Sequence, residues 1–361
     1  MPRPISAIIS KKALSDNLDV IRQKVGKQFL WAVVKADAYG HGLIPLLPIF
    51  KEKCDGLALL DIEDAENCRK AGWEKPILLI EGFFTPYDVI RLNELNLETI
   101  VHNAEQIQML KEGDLGRTVK VHVKCNSGMN RLGFNVQEIP SIIEELHKIP
   151  FVEVVDIVSH FANSELSCFN KKEVPVAQQL ENIYSLDSEN TQYCLSNSGA
   201  ILWHPEVKAS ASRAGIAMYG VSPDSSISSE SLNLKPVMTF QAQIIAIRDV
   251  NAGDYIGYGS RYKAEKKTRI GIVACGYADG YPRSVSSGAW VGVLGKKCPL
   301  TGAVSMDMLA IDLTAVPEAE IGTPVELWGH FPNVNEVASF AGTIGYELLT
   351  NVMPRVKRLY K

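Results

Sequence analysis

The feature that most constrains this chain is an alternation. Through its first two-thirds, short apolar and β-branched segments recur, most of them separated by stretches with helical spacing. The strand-like segments are "FLWAVV" (29–34), "GLALLDI" (56–62), "PILLIE" (76–81), "ETIVHN" (98–103), "VKVHVKC" (119–125), "VEVVDIVSH" (152–160), "QYCLSNS" (192–198) and "VKASASR" (207–213). Eight strands alternating with helices over roughly 200–250 residues point to a (β/α)8 barrel. An open doubly wound sheet is the fallback, but no GxGxxG follows the first strand. Helix ends are marked too. Ser10 can cap a helix whose apolar face is Leu14, Leu18, Ile21 and Val25 and which Gly26 ends. Thr85-Pro86 starts another, and Asn103 with Gln106 has the form of a capping box.

The texture changes at the serine-rich "SPDSSISSESLNLKP" (222–236), which reads as a linker. Beyond it, "MTFQAQIIAIRDV", "TRIGIVACG", "AWVGVLG", "DMLAIDL" and "TPVELWG" alternate with turn residues, the spacing of a mostly-β domain. The expected architecture is α/β plus β: a TIM-type barrel over 1–230 and a β domain over 231–361, with residues 1–9 open to joining the latter. The net charge of −4 is scattered, which argues against a nucleic-acid footprint or a polybasic membrane patch. Seven cysteines (54, 68, 125, 168, 194, 275, 298) with no CxxC pair suit reduced thiols. The opening "MPRPISAIISKK" lacks a signal-peptide core and no stretch could span a bilayer, so a soluble, cytoplasmic protein is expected.

In such barrels the chemistry sits at the C-terminal strand ends. There the sequence delivers Lys35 with Tyr39 behind it, Lys124 followed by Arg131, His160, then Asn197 and Ser198 of "SNSGA", and Arg213 followed by "AGIAMYG". Lysine and arginine are not ordinary metal ligands and the histidines lack paired spacing, so no metal is expected. The set suits an anionic, carbonyl-bearing cofactor. A lysine supplies a Schiff-base amine, a Gly/Ser turn supplies N–H groups for phosphate, and an arginine or an acid faces a pyridine nitrogen. These are the requirements of pyridoxal 5′-phosphate (PLP). Each residue also has an ordinary reading: a lysine after an apolar strand is commonly a surface charge, and a histidine there is commonly a satisfied core residue.

With those residues assembled, the sequence resembles the bacterial alanine racemase family, PLP enzymes with a barrel and a C-terminal β domain. The resemblance covers essentially the whole chain. It rests on "AVVKADAYGHG", "VKCNSGMNRLGF", "SHFANSE", "SNSGA", "SRAGIAMYG", "YGSRY", "GYADGYPR", "VSMDM" and "YELLTNVMPRVKR", in that order. It implies that Lys35 binds PLP and acts as one catalytic base, with Tyr258 as the other on the opposite face of the substrate Cα. A phenol that works as a base near pH 7 needs a cationic neighbourhood. Arg213 would face the pyridine nitrogen and His160 would pack on the ring. Tyr39, Asn197, Ser198, Gly215, Ile216 and Tyr346 would complete the cofactor site, most of them around the phosphate.

The resemblance further implies a substrate site of Arg131, the Met306 backbone N–H, Tyr277 and Asp307. Tyr258, Tyr277 and Met306 would come from the partner subunit, so a homodimer is implied. Lys124 aligns with a lysine that some members carbamylate. The family pattern has Asp-Thr where this chain has Asn126-Ser127, so one negative charge is lost near Arg131. The implied activity is interconversion of L- and D-alanine, supplying D-alanine for peptidoglycan. The nearest alternative is a broad-specificity amino-acid racemase of the same architecture. A PLP decarboxylase pairs the pyridine nitrogen with an acid rather than Arg213, and a non-catalytic PLP-binding barrel lacks the β domain. Asp37 is given no role.

Overall fold

The structure is a computed structural model that describes residues 3–166, 174–187, 191–286 and 288–361. Cys168 of the cysteine set lies outside the described residues. The chain divides into two compact units. One comprises residues 17–38 and 43–218, the other residues 1–16, 39–42 and 219–361.

The first unit is a closed parallel barrel. Its strands are β1 (Phe29–Val33), β2 (Gly56–Leu59), β3 (Ile77–Leu79), β4 (Glu98–Val101), β5 (Val119–Asn126), β6 (Val152–Val158), β7 (Tyr193–Ser196) and β8 (Ala211–Ala214). Each pairs with the next, and β8 returns to β1 with Arg213 opposite Trp31. All eight strands inferred from the sequence are present, within a few residues at each end. The strands β2, β3, β4, β7 and β8 are buried along their whole length. Parallel strands covered on both faces read as continuous apolar runs rather than alternating ones, and β2 and β3 do, while β4 and β8 carry Glu98, Thr99, Ser212 and Arg213 within the buried stretch. The outer helices carry the expected caps. Thr85 and Asp88 form a complete capping box, a device worth about 1 kcal/mol. Asn103 accepts from Gln106 N–H, but the Gln106 side chain turns to His102 N–H and Phe83 O instead of completing the box.

The second unit is built on the strand Met238–Val250, whose inner half alternates buried and half-buried residues as a one-sided antiparallel strand must. It pairs antiparallel with Ile5–Ile9, Pro324–Trp328 and Thr268–Val273. Lys357–Tyr360 adds to Ile5–Ile9 in parallel. Trp290–Val293 and Lys296–Pro299 form a hairpin turned by Leu294 and Gly295, both at positive φ as a two-residue I′ turn requires. Phe240 and Trp328, with ring centroids 4.4 Å apart, anchor its core. Among the described residues, no helix is long and apolar enough to cross a membrane.

Candidate active site

In the barrel unit the site is built from strand ends. Lys35 follows the buried run of β1 and opens the turn Lys35–Gly40. Ala36, Asp37, Ala38 and Tyr39 all have φ between 52° and 53°, so this turn is left-handed. Consecutive left-handed residues are rare outside glycine because Cβ crowds the following carbonyl. Asp37 secures the turn by accepting Leu43 N–H at 2.8 Å.

Arg213 on β8 is buried and its guanidinium is fixed from several sides. Nη1 donates to Cys194 O and to Cys194 Sγ at 3.1 Å; Nη2 donates to Ser159 O at 2.6 Å and Leu195 O at 3.2 Å. Its Nε–H has no acceptor among the described residues. Nη2 also lies 3.5 Å from His160 Nδ1. Arginine can only donate, so that nitrogen accepts and the His160 proton sits on Nε2. Burial pushes His160 far below its ordinary pKa, and the charges of Arg213, Lys124, Arg131 and Lys35 push it in the same direction. Its ring is therefore neutral, and four cationic side chains converge on it.

Lys124, at the end of β5, is lowered to about 7, first by burial and then by Arg213 and Arg131. Lys124, Arg131, Leu132, Ser127 and His160 line a small, open cleft. Among the described residues, Lys35, Lys124, Arg131 and Arg213 make no ion pair. Arg213 is buried and Lys35 and Lys124 are half-buried, while Arg131 stands exposed at the rim; buried cations without a counter-ion are costly, so the cluster suits an anion. Beside it, Ser198 Oγ accepts Gly215 N–H at 3.0 Å and Ala217 N–H at 3.3 Å. Asn197 caps the helix Ser198–Trp203 by accepting Ala200 N–H. This places Ser198, Gly215 and Ile216 around one Gly/Ser turn. The donor set fits PLP: an amine for its aldehyde, N–H groups and cations for its phosphate, and a buried arginine with one unpaired donor.

The second unit holds the remaining sequence-derived residues. Tyr39 packs against Tyr219 at 4.8 Å and Tyr346 at 6.1 Å, and burial raises its phenol to about 12. Tyr258 is 70% exposed on the Gly257–Ser260 turn. Tyr277 and Met306 lie on adjacent turns, joined by Tyr277 N–H to Ser305 O (3.0 Å) and Ala278 N–H to Met306 O (2.9 Å). Both side chains are exposed, as is Met308. The Arg283 guanidinium stands 5.7 Å from the centroid of the Tyr277 ring. Among the described residues, no group of three or more His, Cys, Asp or Glu is placed to hold a metal ion.

Comparison with known proteins gives this arrangement a family. Residues 9–223 match the family model for the alanine racemase N-terminal domain, and residues 237–360 match that for the C-terminal domain. The chain belongs to the alanine racemase family. It is 43% identical over 358 residues to the alanine racemase of Erwinia tasmaniensis, with 99% of each chain covered. Among solved structures it is similar to the biosynthetic alanine racemase of Pseudomonas aeruginosa (TM-score 0.94, 39% identity, 99% of each chain). The alanine racemase of Acinetobacter baumannii superposes with a TM-score of 0.92 at 36% identity, covering 99% of this chain and all of that one.

Within this alanine racemase fold, sequence reasoning passed over several supporting residues. Ser127, Ser159 and Gln179 form a buried hydrogen-bonded set beneath the cleft. Glu98 and Asp156 flank His122 inside the barrel. Their signal was visible: an acid within "ETIVHN" and another within "VEVVDIV" stand where buried strands admit only apolar residues or paired charges. Arg3, Asp279 and Arg355 carried no such signal, because residues 276 and 76 positions apart meet only after folding.

Proposed function

We propose that this chain racemises alanine with PLP held in the barrel, using Lys35 and Tyr258 as opposed bases. The observation that carries the reading is the cluster of Lys35, Lys124, Arg131 and Arg213 around neutral His160 with no ion-paired acid among the described residues. An anionic cofactor and an anionic substrate would balance such a set. PLP, when bound, draws electron density from the substrate Cα and so makes its proton removable. Lys35 Nζ holds the cofactor and serves one face of the Cα. Tyr258 Oη serves the other, and inversion requires that one group removes the proton while the second returns one from the opposite side. Arg213, an obligate cation with buried partners, keeps its proton and cannot protonate the pyridine nitrogen, which limits charge delocalisation and side reactions such as transamination.

Tyr39, Ser198, Asn197, Gly215, Ile216 and Tyr346 would complete the cofactor site, and His160 would pack on its ring. Arg131 would lie near the substrate carboxylate and the Met306 N–H would bind it, with Tyr277 and Asp307 lining the same side. The exposure of Tyr258, Tyr277 and Met306 supports a homodimer in which these residues face the partner's site. Lys124 near 7 has a neutral amine available at neutral pH. That amine can add CO2 with loss of one proton, giving a carbamate beside Arg131. The setting we infer is the cytoplasm, with D-alanine as a peptidoglycan precursor.

The test is incubation of PLP-loaded protein with separate L-amino acids, followed by chiral analysis of each. Racemised alanine together with loss of the visible cofactor absorption in Lys35→Ala is expected. Decarboxylation, or no change in any amino acid, would refute the reading. Equal racemisation of long side chains would redirect it to a broad-specificity racemase.

A further inference from the structure

The turn Ser305–Met308 has an unusual hydrogen-bond balance. Each of its four carbonyls is already accepting. Ser305 O takes Tyr277 N–H, Met306 O takes Ala278 N–H, and Met308 O takes Ser305 N–H at 2.9 Å. Asp307 O takes Arg3 Nη2 at 2.6 Å. By contrast, the N–H groups of Met306, Asp307 and Met308 have no acceptor among the described residues. The backbone of this turn therefore presents donors only, which is what a carboxylate needs.

One group works against that purpose. The Asp307 side chain puts a negative charge on the same turn, and Asp279 puts another on the adjacent one. Arg355 answers both: Nη2 reaches Asp307 Oδ1 at 2.7 Å and Nε reaches Asp279 Oδ1 at 2.8 Å. Arg3 Nη1 adds a contact to Asp279 at 2.9 Å and lies 3.7 Å from Asp307 Oδ1. Asp279 is fully buried, and its second oxygen accepts Gly276 N–H at 2.9 Å, which locks the Tyr277 turn. Two arginines from opposite ends of the chain thus tie the two turns together and neutralise both carboxylates. Gly276 shows how close the turns lie, since a Cβ there would stand 2.3 Å from Met306 O.

We propose that Arg355 and Arg3 are positioning residues for the substrate carboxylate, holding the Met306 turn as an anion receptor and cancelling the charge of Asp307. The proposal rests on the assignment of the Met306 N–H to the substrate carboxylate. A planar guanidinium spans two carboxylates where an ammonium reaches one.

The test uses the PLP-loaded enzyme, with alanine kinetics in both directions and inhibition by propionate, a carboxylate of alanine's size without the amine. Arg355→Gln should raise the alanine KM and the propionate Ki tenfold or more. It should change kcat by less than about threefold and leave the cofactor spectrum intact. Arg3→Gln should act in the same direction more weakly, and Arg355→Lys should fall between Arg355→Gln and wild type, giving a folded variant if Arg355→Gln fails. The decisive arm is the double variant Arg355→Gln/Asp307→Asn, which removes the charge that Arg355 cancels. It should recover much of the propionate Ki, whereas a mere structural brace would be weakened further. No recovery, or unchanged Ki in Arg355→Gln, overturns the proposal. Met306→Pro, which deletes the N–H, separates the two readings. If it leaves Ki unchanged, the carboxylate assignment itself fails. If it raises Ki while the arginine variants do not, only the positioning proposal fails.

Discussion

His122 offers a pH test whose size follows from its surroundings. On β5 it lies between Glu98 of β4 and Asp156 of β6, with Nε2 3.0 Å from Glu98 Oε2 and Nδ1 2.7 Å from Asp156 Oδ1. It is 1% exposed, and its ring meets Trp31 edge-on. Burial alone would push its pKa down, but the two carboxylates outweigh burial and lift it to about 9 from 6.5. Below the unfolded value the proton is bound in both states and the stabilisation is fully present. As pH rises through 9 the folded triad loses its cation, two buried carboxylates face each other, and the stabilisation is lost. A rise from 6.5 to about 9, at ~1.4 kcal/mol per pH unit, corresponds to about 3 kcal/mol.

Lys124 acts in the opposite sense. Its folded value of about 7 lies below its unfolded value of 10.5. The unfolded chain therefore binds more protons between those limits, and stability rises with pH there. A raw stability profile mixes the two effects, so the assay is a difference. Urea unfolding of wild type and His122→Gln is compared at about pH 6 and about pH 9.5. The wild-type advantage should shrink by about 3 kcal/mol between those values. An advantage constant to within ~0.5 kcal/mol would show that His122 is not held protonated by Glu98 and Asp156.

The opposed-base reading gives a directional expectation. Tyr258→Phe should slow α-proton removal from L-alanine far more than from D-alanine, measured as solvent deuterium incorporation from each enantiomer; equal and negligible losses would contradict it. Carbamylation of Lys124 should appear in native mass spectra as the addition of CO2, reversed by acid and absent in Lys124→Ala. A short-chain carboxylate added to Lys124→Ala should restore part of the lost activity, and full activity of the unsupplemented variant would remove Lys124 from the reaction.

What was legible in the sequence was what local physics determines. Buried parallel strands favour continuous apolar runs, and β1, β2 and β3 declare themselves that way, whereas β4, β5, β6 and β8 carry polar or charged residues within them. "MTFQAQIIAIRDV" coincides residue for residue with the long strand of the second unit. Lys124, His160 and Arg213 could be assigned to one rim because a strand's end fixes where its last side chains emerge. Ile5–Ile9 and Lys357–Tyr360 are strands of the second unit by virtue of pairing with each other and with Met238–Val250. Such pairing across the length of the chain has no local signature. The same holds for Arg3 and Arg355. The Asn103 capping box failed in part because the Gln106 side chain found better-placed partners in the tertiary structure.

The left-handed turn after Lys35 shows why the sequence there is so specific. Four non-glycine residues in that conformation cost roughly 1–2 kcal/mol each, a sum comparable to the net stability of many domains. Such strain persists only where surrounding contacts determine it and where function uses it. The contacts are present: Ala38 N–H bonds Val34 O at 2.8 Å, Asp37 accepts Leu43 N–H, and Arg358 Nε donates to Gly40 O at 2.9 Å. Tyr39 and Ala38 are buried. The chain leaves the barrel unit after Ala38, contributes Tyr39–Gly42 to the other unit, and returns at Leu43. Within that other unit, Tyr39 is held against Tyr219 at 4.8 Å. Asp37, which carried no role in the sequence reading, is thus a brace of the lysine turn. The turn over "KADAYG" is left-handed, with Ala36 to Tyr39 at φ 52–53° and contacts that hold it there.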